Sequence, residues 1–335
     1  MSFDINNRRY AGSKYKLNSW IKEIINKNCN EKEIFADIFS GTGIVADTNL
    51  YQFNHIIIND LLFSNEVIYN AFFSKKKWNK NIINEFFLEN RALKANNIND
   101  NYFSLNFGDK FFINDDAKII GKIRKNIEKI KYQIEYKEYC ILLSSLLYSA
   151  DKTANTVGHY DAYIRNKKIN KKFIFELIKP INHNKKIKIY REDANVLVKK
   201  IKADVFYVDP PYNSRQYSRF YHLLENLTKW ERPELFGVAM KPEPENMSDY
   251  CRNSAYDKFS DLINDIDSKH IIVSYNNTYK SKSSSSENKI TLEQIKDVLN
   301  VKGELREYSR AYNHFNAGKT SFDDHKEYIF YTKVK

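Results

Sequence analysis

The chain has 335 residues, of which 42% are hydrophobic, enough to bury a large core in two or three structural units. Lysine and arginine number 54 against 42 aspartate and glutamate, and the formal net charge of +12 favours a polyanionic partner such as nucleic acid. Lysine, asparagine and isoleucine are also what an A+T-rich genome produces, so charge alone assigns no activity.

Several classes of protein are excluded by simple features. Cys29, Cys140 and Cys251 lie far apart and lack the spacing of a zinc site, a redox site or a disulfide scaffold. The first residues are polar and basic, unlike a secretory signal, and no window has the apolar length of a membrane span. These features predict a cytoplasmic protein with no metal site and no membrane partner.

The first predicted elements form a βαβ unit. The apolar run 34–39 is typical of a strand, and it is broken at once by the glycine turn 40–43. A helical pattern follows over 44–53, and a second buried strand is predicted over 55–58, ending just before Asp60. Such a unit indicates a parallel sheet.

A different pattern occupies the middle of the chain. Helical patterns with lysine and asparagine clusters, and an apolar stretch over 139–148, replace the α/β rhythm. Strand candidates then return at 187–190, 205–208 and 271–275. We therefore predict a discontinuous catalytic domain, 1–75 and 185–335, interrupted by an inserted region, 76–184.

The glycine turn predicts a ligand site. At the carboxyl end of a parallel strand, Gly41 and Gly43 let backbone N–H groups approach a ligand closely. Asp60 ends the next strand about 17 residues after Gly43, near the spacing at which an acidic side chain accepts hydrogen bonds from ribose hydroxyls. Together these residues indicate an adenosine-type ligand.

The most specific motif is the tetrapeptide Asp209-Pro210-Pro211-Tyr212, directly after the strand 205–208 and so at the same edge of the sheet. Two successive prolines cannot continue a strand ladder, and their carbonyls are left as acceptors. Such a rigid array suits a poorly nucleophilic amino group such as adenine N6. Asp209 and the Pro210 carbonyl can each accept one N–H. Tyr212 can stack on a base flipped out of the duplex.

With these motifs in this order, the chain resembles the α-class N6-adenine DNA methyltransferases, which include Dam-like enzymes, and above all those of the FokI type. The segment 9–14, Arg-Tyr-Ala-Gly-Ser-Lys, is similar to the N-terminal motif of that family. The resemblance implies an α/β, Rossmann-like sheet that binds S-adenosylmethionine, with an inserted, mostly helical target-recognition region.

The resemblance also implies cofactor contacts. Tyr10 would pack near the cofactor, and Lys14 would support the catalytic and cofactor carboxylates. Asp37 would lie near the methionine amino group, and Phe39 beside the sulfonium. Asp193 would accept a hydrogen bond from the adenine amino group of the cofactor. The alternatives are a surface position for Tyr10 and Lys14, a buried core position for Phe39 and a helix N-cap for Asp193.

Two segments are similar to DNA-facing parts of the family. The segment after the tetrapeptide mixes charged, aromatic and amide side chains, as a DNA-facing loop does, and a solvated surface is the alternative. A shorter segment, 154–160, lies in the insertion. The implied DNA-binding residues are Asn155, Tyr160, Arg215, Gln216, Tyr217 and Arg219.

The predicted reaction is direct in-line methyl transfer to N6 of a flipped-out adenine in double-stranded DNA, without metal or covalent intermediate. One tetrapeptide predicts one modified adenine per recognition event by a monomer. The resemblance implies a restriction-modification role beside a separate endonuclease. Related tetrapeptides leave cytosine N4, RNA adenine and protein glutamine as alternative substrates, and a catalytically silent DNA-binding module is a third possibility.

Overall fold

The structure, a computed structural model, describes residues 2–165, 168–278, 287–311 and 325–335. The chain forms two compact units. The sheet unit comprises Lys14–Leu61, Lys185–Tyr217 and Asn246–Lys335, and the helical unit comprises Met1–Ser13, Leu62–Asn184 and Ser218–Glu245. Among the described residues, no helix is long and apolar enough to cross a membrane.

The sheet unit is organised around a mixed sheet. Its strands are β1 Ile34–Asp37, β2 His55–Asn59, β3 Lys186–Tyr190, β4 Val205–Val208, β5 His270–Asn276, β6 Gly303–Ala311 and β7 Lys326–Val334. Within the described residues they form one seven-stranded sheet in the order β3-β2-β1-β4-β5-β7-β6. The first five strands of this order run parallel, and β7 is antiparallel to both β5 and β6. The predicted α/β, Rossmann-like fold is confirmed.

The strand order also places a ligand crevice. In the sheet, β2 and β3 lie on one side of β1, and β4 and β5 lie on the other side. Parallel sheets bind ligands at the carboxyl ends of the strands where the order reverses in this way. The residues that follow β1 and β4 therefore occupy the position of a binding site.

The helices are distributed over both units. In chain order, the α-helices of the described residues are α1 Asn18–Asn28, α2 Ile44–Asn49, α3 Phe63–Phe73, α4 Lys80–Arg91, α5 Tyr102–Phe107, α6 Asn114–Ile130, α7 Tyr136–Thr153, α8 Ala194–Val198, α9 Tyr217–Phe220, α10 His222–Lys229, α11 Ala255–Asp265 and α12 Leu292–Lys302.

One face of the sheet is covered by α8, α11 and α12. Their apolar side chains, such as Phe259 and Leu299, form a single buried cluster with Phe206 of β4 and Ile271 of β5. β2 and β4 are buried at every residue, which explains their continuous apolar sequences. Burial of these side chains holds the carboxyl ends of the strands in fixed register.

The helical unit is built around α7, which packs against α3 and α6. The apolar stretch noted over 139–148 is the centre of this helix and is buried. The chain returns to the end of α3 after residues 74–180, because the Ile181 N–H donates to the Phe72 carbonyl at 3.0 Å and His183 Nε2 lies 2.9 Å from the Phe73 carbonyl.

The helical unit extends beyond the predicted insertion 76–184. It also includes Met1–Ser13, its central segment begins at Leu62, and it includes α10 from the segment after the tetrapeptide. The reason is a contact between α10 and the start of α3: the Glu225 carboxylate accepts the N–H groups of Phe63 and Ser64 at 3.0 and 2.8 Å. Glu225 thus satisfies two of the free donors at this helix N-terminus.

A buried arginine closes the other end of α10. Arg124 of α6 is fully buried, and its guanidinium donates to the carbonyls of Leu227 and Thr228 at 2.7 and 3.1 Å. It also contacts Glu128 at 2.8 Å and lies 5.3 Å from the ring centre of Trp230. These contacts satisfy carbonyls that a helix C-terminus leaves without partners.

Candidate active site

The glycine turn after β1 joins the ends of two strands. Gly41 and Gly43 have φ angles of +51° and +79°, in the left-handed region that favours glycine. The Gly41 N–H donates to Oδ2 of Asp60, at the end of β2, over 3.0 Å. Asp60 therefore holds the turn against its own strand, and the three residues predicted to bind a nucleoside lie together.

Asp37 lies at the carboxyl end of β1 and is almost fully buried. No cation pairs with its carboxylate among the described residues, and the groups within reach of it are the Ser40 hydroxyl and the Ala46 N–H. Burial, reinforced by the negative charge of Asp209, raises the pKa of Asp37 to about 8. A cationic ligand beside such a buried carboxyl group would stabilise its ionised form.

Phe39 and Asp193 lie in the loops that follow β1 and β3. Phe39 is partly buried, and its ring meets Tyr250 edge to face at 5.1 Å. Asp193 precedes α8, and its Oδ1 accepts the N–H groups of Asn195 and Val196 at 2.9 and 3.2 Å. The N-cap role predicted as the alternative for Asp193 is confirmed, and both bonds use a single carboxylate oxygen.

The tetrapeptide follows β4 directly, as predicted, and its acid is held from both sides. Lys14 Nζ lies 2.8 Å from Oδ2 of Asp209, and the Tyr212 hydroxyl donates to Oδ1 over 2.5 Å. The side chains of Lys14 and Asp209 are only 7% and 14% exposed, so this ion pair is poorly screened by water. The structure thus brings Lys14, Asp209 and Tyr212 into direct contact.

The position of Tyr212 is fixed by residues outside the motif. Its ring centre lies 4.4 Å from that of Tyr275, at the end of β5. Its carbonyl accepts the Lys289 N–H at 2.7 Å and the Tyr275 hydroxyl at 3.3 Å. The motif is therefore anchored through its backbone, while the hydroxyl of Tyr212 contacts the carboxylate of Asp209.

The electrostatics of Asp209 reflect two opposing influences. Burial raises the pKa of its carboxyl group, and the ammonium of Lys14 and the hydroxyl of Tyr212 lower it. The net direction is upward. Asp209 is thus more basic than an exposed aspartate, although it is paired with a cation.

Comparison with known proteins agrees with this arrangement. The family of D12 class N6 adenine-specific DNA methyltransferases matches residues 10–283, which include the glycine turn and the tetrapeptide. The chain belongs to this family. The membership predicted from the motif order is confirmed.

Known methylases are similar to this D12-class chain. It is 36% identical to modification methylase StsI of Streptococcus sanguinis, over 80% of the chain and 44% of that protein. It is 30% identical to type II methyltransferase M.FokI of Planomicrobium okeanokoites, over 96% and 52% of the two proteins. For type II methyltransferase M.NlaIII of Neisseria lactamica the identity is 29%, over 95% of each. The chain thus spans about half the length of the first two relatives.

Tyr10 belongs to the helical unit of this D12-class chain. Its ring stacks on that of Tyr221, with centres 4.6 Å apart and planes 4° from parallel. The guanidinium carbon of Arg8 lies 5.0 Å from the centre of the Tyr10 ring. The position of Tyr10 is thus defined by aromatic and cation–π contacts, and its cofactor contact stays a prediction.

Two of the DNA-binding candidates have structural roles in the helical unit. Tyr160 is fully buried, and its hydroxyl donates to Asp151 over 2.9 Å, so the structure does not offer it to DNA. The side-chain amide of Asn155 donates to the carbonyls of Lys110 and Ile164 at 3.0 and 2.9 Å. Both residues hold their loop in place, which explains why polar and aromatic types occur there.

The candidates after the tetrapeptide divide into two groups. The Gln216 amide is buried and exchanges two hydrogen bonds with the Ser248 backbone, at 2.9 and 2.7 Å. Arg215, Tyr217 and Arg219 are partly exposed, and the Arg219 guanidinium donates to the Pro242 carbonyl. The partly exposed side chains are accessible to nucleic acid, whereas the buried side chain of Gln216 holds a loop in place.

Sequence reasoning missed Tyr275, whose ring and hydroxyl fix the position of Tyr212. Tyr275 ends a strand that was predicted, so the rule that found Asp209 could also have placed Tyr275 at the edge of the sheet. In the helical unit, sequence reasoning did not identify the stacking role of Tyr221 or the capping role of Glu225.

Proposed function

We propose that this protein transfers a methyl group from S-adenosylmethionine to N6 of a flipped-out adenine in double-stranded DNA, at a specific sequence. The observation that supports the proposal most directly is the position of Asp209 and the contacts that it makes. It follows β4 in the family motif, accepts contacts from Lys14 and Tyr212, and lies at the edge of the sheet that also carries the glycine turn.

The residues at this edge fit S-adenosylmethionine. The buried Asp37 carboxylate, which has no cationic partner among the described residues, would pair with the ammonium of the methionine portion. Phe39 would lie beside the sulfonium, and Asp60 would accept from the ribose hydroxyls. The bound cofactor supplies an electrophilic methyl group. Asp193 keeps one carboxylate oxygen outside its capping bonds for the adenine amino group.

Asp209 and Pro210 would receive the target amino group. One N–H of N6 donates to the Asp209 carboxylate and takes the place of the Tyr212 hydroxyl, and the other donates to the Pro210 carbonyl. These two bonds orient the nitrogen lone pair toward the methyl group and stabilise the positive charge that develops on nitrogen. The released Tyr212 side chain then stacks on the flipped base.

Family membership and the net charge of the chain support a role in DNA modification. The net charge of +12 supports binding to a DNA backbone, and the partly exposed Arg215, Tyr217 and Arg219 are the side chains we assign to it. The region 76–184 would read the target sequence. We assign a restriction-modification role in the cytoplasm, in which a monomer modifies one adenine per site and a separate endonuclease cuts unmodified DNA.

The proposal is tested by incubating the purified protein with unmethylated plasmid DNA and labelled S-adenosylmethionine, followed by mass spectrometry of the nucleosides. N6-methyladenine is the expected product, and sequencing then gives the site. Methylcytosine would transfer the assignment to cytosine N4. Methylated RNA or protein, or the absence of any product, would overturn it.

The pKa of Asp37 predicts how cofactor affinity depends on pH. Its value of about 8 means that the free site is mostly protonated at neutral pH, and pairing with an ammonium requires release of that proton. Affinity should therefore rise with pH by up to about tenfold per unit between about pH 6 and pH 7.5. Isothermal titration calorimetry in two buffers of different ionisation enthalpy measures both affinity and proton release.

The matched control is Asp37→Asn, which keeps the shape of the side chain and has no proton to release. This variant should bind S-adenosylmethionine weakly and with little dependence on pH over the same range. A wild-type affinity that is flat between about pH 6 and pH 7.5 would contradict the assignment of Asp37 to the ammonium.

A second prediction concerns the stacking role of Tyr212. Tyr212→Ala should lower kcat/KM on a matched duplex by about 10- to 100-fold, because base stacking on an aromatic ring contributes about 1–3 kcal/mol. The loss should be smaller when the target adenine is mispaired, since flipping then costs less. Tyr212→Phe keeps the ring and removes the hydroxyl that contacts Asp209. Equal losses on matched and mispaired DNA would contradict the stacking role.

A further inference from the structure

A second buried acid shares the catalytic face of the sheet. Glu327 lies on β7 and is 6% exposed, and its Oε2 has no hydrogen-bond partner among the described residues. Its Oε1 lies 3.6 Å from Nε2 of His325, which is also buried. Nothing in the proposed reaction uses this pair.

Strand register places Glu327 on the same side of the sheet as the catalytic motif. Tyr207 of β4 is paired with Ile272 of β5, and Asn276 of β5 is paired with Glu327. Paired residues point to the same face and alternate residues share it, so Tyr207 and Glu327 project from one face. Asp209 follows Tyr207 by two residues, just beyond the end of β4.

A buried phenol projects from the same face of the sheet as these acids. The side chain of Tyr207 is almost fully buried, and the Ser274 side chain lies within hydrogen-bonding reach of its hydroxyl. Burial raises its pKa most, and the negative charges of Asp209 and Glu327 raise it further. The same charge of Glu327 also contributes to the raised pKa of Asp209, after the larger effect of burial.

We propose that Glu327 is a positioning residue for methyl transfer: its buried negative charge keeps the Asp209 carboxylate able to take the proton that N6 loses. The inference rests on the proposed function of Asp209. N6 forms its bond to the methyl carbon as the carbon–sulfur bond breaks, with that electron pair left on sulfur. The positively charged nitrogen then passes one proton to Asp209, which returns it to solvent when the product leaves.

The direction of the effect follows from the charges that surround Asp209. Lys14 and Tyr212 contact Asp209 directly, and Glu327 acts on it through its charge. The charge of Asp209 in turn contributes to the raised pKa values of Asp37 and Tyr207, and His325 lies beside Glu327. Lys14 favours the ionised form of Asp209, and Glu327 opposes it. Removing the charge of Glu327 should therefore lower the pKa of Asp209 and make this carboxylate a weaker base.

The test is Glu327→Gln, with the pKa of Asp209 followed by carboxyl ¹³C NMR in protein without cofactor or DNA. The Asp209 signal is assigned by its loss in Asp209→Asn. We expect the Asp209 midpoint to move to lower pH in Glu327→Gln and to stay near the wild-type value in Glu327→Asp, which keeps the charge. The acid limb of the kcat profile should move in the same direction.

The matched control uses another glutamate–histidine pair of the same unit. Glu31 Oε2 lies 2.8 Å from Nε2 of His270, at the start of β5, whereas Glu327 pairs with the end of that strand. Glu31→Gln should leave both the Asp209 midpoint and the acid limb in place. An Asp209 midpoint that is the same in wild type and Glu327→Gln would overturn the inference. A wild type that makes no N6-methyladenine would instead overturn the proposed function, and the NMR result would stand apart from it.

Discussion

Asp209→Ala is expected to lower the rate of methyl transfer by about 10³-fold or more, because it removes the group that orients N6 and takes its proton. This loss corresponds to about 4 kcal/mol of transition-state stabilisation. DNA binding should change little. Single-turnover transfer with saturating cofactor measures the first quantity, and fluorescence anisotropy with a labelled duplex measures the second.

Two controls separate chemistry from structural damage. Asp209→Ala leaves the Lys14 ammonium, 7% exposed, without its carboxylate, which itself destabilises the site. Asp209→Asn keeps the shape and one acceptor oxygen but carries no charge, and it should still be strongly impaired. Lys14→Met tests the other half of the pair. Near-normal turnover by Asp209→Asn would contradict the role of a charged acceptor.

Arg124→Met should have the largest effect on stability, lowering the free energy of unfolding by about 3–5 kcal/mol. The substitution leaves the carbonyls of Leu227 and Thr228 without their partner in a buried setting, whereas Glu128 is 36% exposed and keeps Lys131 at 3.5 Å. Urea denaturation followed by tryptophan fluorescence measures the change. Trp230, 5.3 Å from the guanidinium, reports on the affected region.

The matched control for this prediction is Arg306→Met. Arg306 pairs with Glu304 at 2.9 Å on the protein surface, where its side chain is 52% exposed. Such pairs contribute about 0–1 kcal/mol, so this variant should unfold at nearly the wild-type urea concentration. Equal midpoints for the two variants would show that Arg124 does not clamp the end of α10.

The parts of the site that follow local rules were predictable from the sequence. A buried apolar run followed at once by glycine or proline marks the carboxyl end of a parallel strand, and this rule located both Gly41 and Asp209. The strand predicted over 205–208 has the same bounds as β4 in the structure. Distances such as that between Lys14 and Asp209 were not derivable, because they depend on segments far apart in the chain.

The parts that depend on tertiary packing were not predicted. β6 and β7 pair antiparallel at the far side of β5. The mixed polar and apolar sequence of β6 gave no strong strand signal, whereas the run 328–332 of β7 is typical of a strand and was not recognised. Tyr160 and Gln216 have residue types that suit DNA contact, yet packing buries both side chains. Sequence pattern indicates the chemistry that a residue can perform, whereas burial decides whether it is available.

The return of the chain to the end of α3 has an evolutionary consequence. Because Phe72 and Phe73 contact Ile181 and His183, residues 74–180 begin and end at adjacent points. Recombination could therefore exchange these residues for others with similarly placed ends, provided that the new segment also kept a partner for the carbonyls of Leu227 and Thr228, which Arg124 supplies here. A new recognition region could then be acquired without altering Lys14, Asp209 or Tyr212.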